Sequence, residues 1–218
     1  MTDPTGRKPA PVGQALAGSV SGIVLAGGRS SRFGADKLAA DFDGSTLLER
    51  AVAAVGAVAS EVIVVVAPGD ERSLPVANVP VRRAVDPEPF GGPLVGVLAG
   101  LEAAREPVAI IVGGDMPTLA PDVLRLLIRS LIASDGSRDA AVLVQRGEIR
   151  PLPCVVRNGT ATQAARRLLG DGERRLVALI RSISALAVAE ANWRPLDPTA
   201  ATLLDVDFPG DLPESSET

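Results

Sequence analysis

Short apolar runs alternate with Ala/Leu-rich amphipathic stretches through most of the chain. Val20–Ala26, Val62–Ala67, Val81–Val85 and Val108–Val112 read as strands, the second and fourth as continuous apolar runs. Ala140–Val144 and Pro151–Val156 read as two strands joined through a turn at Arg146-Gly147, and Leu186–Ala189 and Leu203–Val206 as two late, weaker ones. Between them, Thr46–Val58, Leu94–Arg105, Pro121–Ala133, Thr160–Leu169 and Arg174–Arg181 carry helical patterns. Strands that are apolar on both faces need cover on both faces, so helices alternating with them predict a mostly parallel, mixed sheet between two helical layers. With right-handed crossovers this is a three-layer, Rossmann-like α/β domain. Its ligands belong at the carboxyl ends of the strands.

The ends of the chain differ from this pattern. Residues 1–19 have Pro and Gly punctuation and no apolar period, and read as a flexible tail. Residues 213–218 form an acidic tail, leaving 20–212 as one domain. No apolar run approaches the roughly 20 residues of a membrane span, and the start lacks the apolar core of a signal peptide. A cytoplasmic protein without membrane contact is expected.

Composition narrows the chemistry. The 218 residues include 46% hydrophobic and 22% charged residues, with a net charge of -4, which suits a globular domain and offers no global attraction to nucleic acid. There is no His, no Tyr and one Cys, Cys154. Imidazole-based catalysis, intrachain disulfides and zinc sites of His and Cys are excluded. A metal here must be held mainly by oxygen, which points to magnesium, or manganese in its place. Of the 22 basic residues only Lys8 and Lys37 are lysines, and Lys37 lies in a glycine-rich loop. Cys154 reads as a buried structural thiol, and Trp193 as the cover of a late apolar patch.

Three loops follow predicted strands and carry candidate chemistry. The first runs LAGGRSSRFGADK from Leu25 to Lys37. Its glycines let backbone N–H groups approach an anion closely, and Arg32 and Lys37 add positive charge suited to a triphosphate. It is neither a Walker A motif nor a dinucleotide fingerprint. The second loop, Asp86 to Gly96, has small residues against which a flat base can lie. Asp86 could accept hydrogen bonds from a guanine edge or help hold a metal. In the third, Gly113-Gly114-Asp115-Met116-Pro117, Asp115 stands just past a buried strand, where a cation would sit. Near the end, Asp205 and Asp207 are spaced to share one face of a strand. An Asp115–Asp207 pair that shares one magnesium requires the carboxylates to lie within about 8 Å of each other.

The first loop resembles the LAGG-x-S-x-R-x-G-x-D-K signature of nucleotidyltransferases, and the chain from about 20 to 212 is similar to the molybdenum cofactor guanylyltransferases. GGPLVG resembles their GPLAG-type segment, and Asp115-Met116-Pro117 their metal-binding segment. The resemblance implies a Rossmann-like nucleotidyltransferase domain. It implies nucleotide contacts at Leu25, Ala26, Gly27, Gly28, Lys37, Asp86, Gly92 and Pro93. Lys37 and Arg32 would be catalytic, and Asp115 and Asp207 would bind magnesium. Arg150, beside a P-L segment, and Asp205 are candidate substrate contacts. The implied reaction transfers GMP from GTP to molybdopterin or the molybdenum cofactor and releases pyrophosphate; transient contact with other cofactor-biosynthesis proteins would follow. Asp205 and Asp207 replace two Asn of the family's C-terminal segment, which keeps a cytidylyltransferase as the alternative. A nucleotide-binding protein without turnover is a further one.

Overall fold

The computed structural model describes residues 20–27, 36–88 and 91–212. Seven strands form the main sheet: β1 (Val20–Leu25), β4 (Glu61–Val66), β5 (Val81–Val85), β6 (Val108–Gly113), β7 (Ala140–Gln145), β8 (Glu148–Arg157) and β9 (Ala185–Val188). Their order is β5-β4-β1-β6-β8-β7-β9. Only β8 runs against the others, because it returns from β7 through the tight turn at Arg146 and Gly147, both with positive φ. A small ribbon of β2 (Asp41–Phe42) and β3 (Ser45–Thr46) lies outside this sheet.

The period of two sorts the core into two layers. Val20 and Val24 of β1, Val62 and Val64 of β4, and Val108, Ile110 and Val112 of β6 face one side. There they meet Val52 and Val55 of α1 (Leu47–Gly56) and Leu124, Leu127 and Leu131 of α3 (Pro121–Ile132). Ile23, Ile63, Val65 and Ile111 face the other side. They pack on α2 (Pro93–Ala103), α4 (Asn158–Gly170) and α5 (Leu176–Ser182). Cys154 is fully buried in this second layer, and burial pushes its thiol up to about 12, so it is an inert core residue at neutral pH. A reciprocal capping box starts α1: Thr46 accepts from the Glu49 N–H, and the Glu49 carboxylate accepts from the Thr46 N–H. Among the described residues, no helix is long and apolar enough to cross a membrane.

The late segment differs from its expected strand. Ala201–Leu203 is a 3-10 turn, and residues 204–207 join no sheet. Asp197, only 5% exposed, accepts from the N–H groups of Ala201 and Thr202 and so bends the chain there. Trp193 also differs. It belongs to a short helix, α6 (Glu190–Trp193), is fully buried, and donates from its ring nitrogen to the Val144 carbonyl at 3.0 Å. It is a core anchor beneath β7 rather than a cover.

The amino end of the sheet is closed by a buried polar cluster. Glu61 accepts from the Ser21 hydroxyl at 2.7 Å, from the Arg105 N–H at 2.9 Å, and from the Arg82 Nε and Nη2 at 3.0 and 2.6 Å. Burial alone would raise the Glu61 pKa, but hydrogen bonds from Arg82, Ser21 and the Arg105 backbone outweigh it and hold the carboxyl below its ordinary 4.5. Its stabilising contribution is therefore fully present above pH 4.5 and is lost as pH falls through the folded value. Glu61→Ala leaves Ser21 and Arg82 without their shared acceptor. A stability loss of about 3 kcal/mol is expected by urea unfolding at pH 7; a loss below about 1 kcal/mol would show the cluster to be incidental.

Candidate active site

The carboxyl ends of β1, β4 and β6 are stitched together by main-chain bonds. The Ala26 N–H donates to the Val65 carbonyl at 2.7 Å and the Gly114 N–H to the Leu25 carbonyl at 2.9 Å. This edge fixes where the first and third loops leave the sheet. Lys37 begins a 3-10 turn, Lys37–Ala39, capped by Asp36, whose carboxylate accepts from the Leu38 N–H at 3.2 Å. The Lys37 ammonium reaches back over the sheet edge and bonds Asp115 Oδ2 at 2.9 Å and Asp207 Oδ1 at 3.1 Å. Burial works against this ammonium, but hydrogen bonds and charge from Asp115 and Asp207 prevail and raise its pKa above the ordinary lysine value. It stays protonated throughout the neutral range.

Asp115 sits where it does because of Gly113. A Cβ on residue 113 would lie 2.4 Å from Asp115 Oδ1, so only glycine leaves room for the carboxylate to fold back over the strand end. Asp207 arrives by a different route. The Val206 N–H donates to the Asp115 carbonyl at 3.0 Å, which lays the C-terminal segment along the β6–α3 loop. Both carboxylate oxygens contact one nitrogen at 2.9 and 3.1 Å, so they lie no more than about 6.0 Å apart. Both carboxylates are hard oxygen donors of the kind that hold magnesium, and in this structure the Lys37 ammonium bridges them. Among the described residues, no group of three or more acidic, His or Cys side chains gathers to hold a metal, at this site or at any other.

Asp86 lies past the end of β5. Its N–H donates to the Val66 carbonyl, and its Oδ1 accepts from the Glu88 N–H at 3.0 Å. It is 8% exposed. Burial raises its pKa, the Glu88 N–H opposes that, and the Glu88 charge adds to the rise. Its Oδ2 faces Gly96 of α2, and a Cβ there would lie 3.4 Å away. Gly92 opens α2 with φ of 93°, a left-handed conformation that favours glycine. A Cβ at 92 would also meet Arg174 at 2.8 Å. The Arg174 carbonyl accepts from the Leu94 N–H, so the α4–α5 turn takes the place of a side-chain cap for α2.

These groups line one cavity of about 510 Å³. Lys37, Asp115 and Asp207 stand at its charged end. Asp86, Gly92, Pro93 and Gly96 bring the second loop and the start of α2 into its wall, and Leu25, Val65 and Leu152 supply apolar surface. Of the residues singled out from sequence, the structure brings Leu25, Gly27, Lys37, Asp86, Gly92, Pro93, Asp115 and Asp207 to this cavity. Gly28 and Arg32 lie outside the described residues. Ala26 turns inward, 3% exposed, and its N–H is taken by Val65. Arg150, on β8, is paired in the sheet with Leu143 of β7 and is not in the lining. Asp205 is exposed and is likewise absent from it, because the segment that carries both Asp residues is not a strand. Sequence reasoning missed Arg72, which pairs with Asp70 at 2.6 Å and with Asp36 at 3.5 Å and so braces the turn bearing Lys37. No motif marks Arg72; it lies in an irregular loop between β4 and β5.

Residues 22–188 match the MobA-like NTP transferase domain. A protein of Chloroflexus aggregans named "Probable molybdenum cofactor guanylyltransferase" is 36% identical over 196 residues, covering 88% of this chain and 91% of that one. A protein of the same name from Mycobacterium tuberculosis is 36% identical over 182 residues, covering 81% and 87%. Among solved structures, molybdopterin-guanine dinucleotide biosynthesis protein A from Archaeoglobus fulgidus superimposes with a TM-score of 0.69 at 19% identity, over 88% of this chain and 94% of that one. The 4-diphosphocytidyl-2C-methyl-D-erythritol synthase of Anaerococcus prevotii does so at 0.64 and 13% identity, over 89% and 95%. At such identities the structural likeness speaks for the fold alone, whereas the domain match and the 36% identical relatives speak for descent. The chain is a nucleotidyltransferase and belongs to the MobA-like NTP transferase family.

Proposed function

We propose that this nucleotidyltransferase transfers GMP from GTP to molybdopterin or its molybdenum-loaded form and releases pyrophosphate, with magnesium held by Asp115 and Asp207. The observation that carries the proposal is the Lys37–Asp115–Asp207 cluster at one end of a cavity that also takes in Asp86 and Gly96. The names of the 36% identical relatives support the choice of base and acceptor.

The acceptor in this reading is a phosphate monoester, already anionic at neutral pH, so no side chain is needed to deprotonate it. Its oxygen forms the new bond to the α-phosphorus, the bond from that phosphorus to the bridging oxygen breaks, and pyrophosphate leaves. A bound magnesium would supply charge neutralisation on the triphosphate. The chain's own contribution is position and charge. Lys37 brings a fixed positive charge to the leaving phosphates. Asp115 and Asp207 orient Lys37 and provide the oxygen donors. Asp86, as a carboxylate, accepts from the N–H groups of the guanine edge, and Gly96 leaves room for the ring beside it. The cytidylyl alternative draws on Asp205 together with Asp207. Asp205 is absent from the cavity lining, so discrimination of the base falls to Asp86 and α2.

The reading is tested with purified protein, molybdopterin and each of GTP, CTP, ATP and UTP. Pyrophosphate release should favour GTP over CTP by about tenfold or more in kcat/KM, as expected of a site that hydrogen-bonds a specific edge. A higher kcat/KM with CTP would reassign the base.

A further inference from the structure

We propose that Asp211 is a positioning residue of the active site: its carboxylate fixes the backbone at Asp207 and so keeps the Asp207 side chain beside Lys37 and Asp115. The inference rests on the transfer reading above for its kinetic consequence, but its structural content is independent of it.

No sheet holds Asp207: the buried Val206 before it is anchored by its N–H to the Asp115 carbonyl at 3.0 Å, and the chain beyond that bond needs its own hold. Asp115 follows directly on β6, a central, fully buried strand. Asp207 lies in an irregular stretch after the last 3-10 turn before it. That stretch is clasped on both sides. Upstream, Thr202 is fully buried and its hydroxyl accepts from the Ala120 N–H at 3.0 Å, while the Thr118 hydroxyl donates to the Ala201 carbonyl at 2.7 Å. Downstream, one oxygen of Asp211, Oδ2, accepts from the Asp207 N–H at 2.9 Å and from the Phe208 N–H at 2.8 Å. The upstream clasp is core and serves stability. The downstream clasp is exposed and is the only side-chain hydrogen bond recorded to the Asp207 backbone among the described residues.

Hydrogen bonds to a carboxylate are stronger than neutral ones, and two that share an oxygen fix the direction in which residue 207 leaves the chain. The Asp207 Oδ1 stands 3.1 Å from the Lys37 ammonium. Release of the backbone at 207 frees the side chain to leave that contact. Asp211 itself is not in the cavity lining; its charge is felt by Lys37, but its hydrogen bonds reach the site through the backbone at Asp207.

Two variants of the full chain test the proposal, D211A and D211N. The alanine removes the acceptor, whereas the Asn amide oxygen can still accept both N–H groups. In D211A, kcat for pyrophosphate release with GTP and molybdopterin should fall by about tenfold, the scale at which small misplacements of a catalytic group are felt. The KM for GTP should change less than about threefold, and the thermal midpoint should stay near that of the unsubstituted protein. D211N should recover most of the lost kcat. In a D207A background, D211A should add no further loss. Amide hydrogen exchange on the nucleotide-free protein supplies the second readout: residues 207 and 208 should exchange faster in D211A, with the β1 and β6 amides unchanged. Full kcat in D211A, additive loss on top of D207A, or a D211N as impaired as D211A would each overturn the proposal. If the unsubstituted protein shows no turnover with these substrates, the transfer reading fails, and the exchange rates alone decide the case for Asp211: unchanged exchange at 207 and 208 refutes it.

Discussion

Lys37→Ala should lower kcat/KM for nucleotidyl transfer by about a hundredfold, equivalent to roughly 2.7 kcal/mol of transition-state stabilisation. The expectation follows from three facts about one side chain. Lys37 is one of two lysines in an Arg-rich chain. Its ammonium is mostly buried and held by two carboxylates at 2.9 and 3.1 Å. Its pKa lies above the ordinary value, so it carries full charge wherever the enzyme is assayed near neutrality. Removing it leaves two carboxylates within about 6.0 Å of each other and takes away a fixed positive charge that meets the leaving pyrophosphate. Because the ammonium is not titrating in this range, the defect should be of similar size from pH 6 to pH 9. Lys37→Arg should recover only part of the rate, since a planar fork cannot replace a compact ammonium that sits between two carboxylates. The check is kcat/KM for both variants; an unchanged value for Lys37→Ala would remove this residue from the mechanism.

Asp115→Asn should be at least as damaging, with a loss of a hundredfold or more in turnover, on the order of 3 kcal/mol or above. Asparagine matches aspartate in shape, so it still fits the space over Gly113, where a Cβ would clash with Oδ1 at 2.4 Å. The fold should therefore survive, with a thermal midpoint close to the starting one. The amide is a poor ligand for a hard cation and a weak partner for the Lys37 ammonium, so both features of the charged end are lost together. Manganese titration followed by electron paramagnetic resonance, with GTP present, gives a readout apart from turnover: the variant should bind manganese at least about tenfold more weakly. Turnover within about fivefold of the unsubstituted protein would refute the assigned role of Asp115.

Asp115 was legible in the sequence because it follows a strand whose apolar run is continuous. Val62–Ala67 and Val108–Val112 anchor β4 and β6 almost residue for residue, and with β6 in place Asp115 had to lie at the carboxyl edge. Lys37 stood out through composition and Asp86 through the small residues after it. The late segment was misread for a physical reason. Leu203, Leu204 and Val206 have a strand's composition, but Ala200 takes a positive φ and Asp197 caps the turn that follows, which sends the chain along a loop instead of a strand. The same error put Asp205 beside Asp207. Arg72 lies in no motif and acts through its pairs with Asp70 and Asp36, whereas Asp211 lies in the segment that resembles the family's C-terminal one, where nothing in the sequence marks its hydrogen bonds to the backbone at 207 and 208. Trp193 was underestimated because a lone aromatic near the end of a chain carries no period. Its burial depends on the β7–β8 hairpin above it.

Transfer of the α-phosphoryl group together with its nucleoside can be followed with GTP labelled at the α-phosphorus. Purified protein is incubated with molybdopterin, magnesium and this GTP, and the products are separated. If nucleotidyl transfer occurs as proposed, the label moves into a pterin–guanine dinucleotide, one pyrophosphate is released for each label transferred, and Lys37→Ala slows this step about a hundredfold. Label that remains in GTP, or appears only as free GMP, would contradict it.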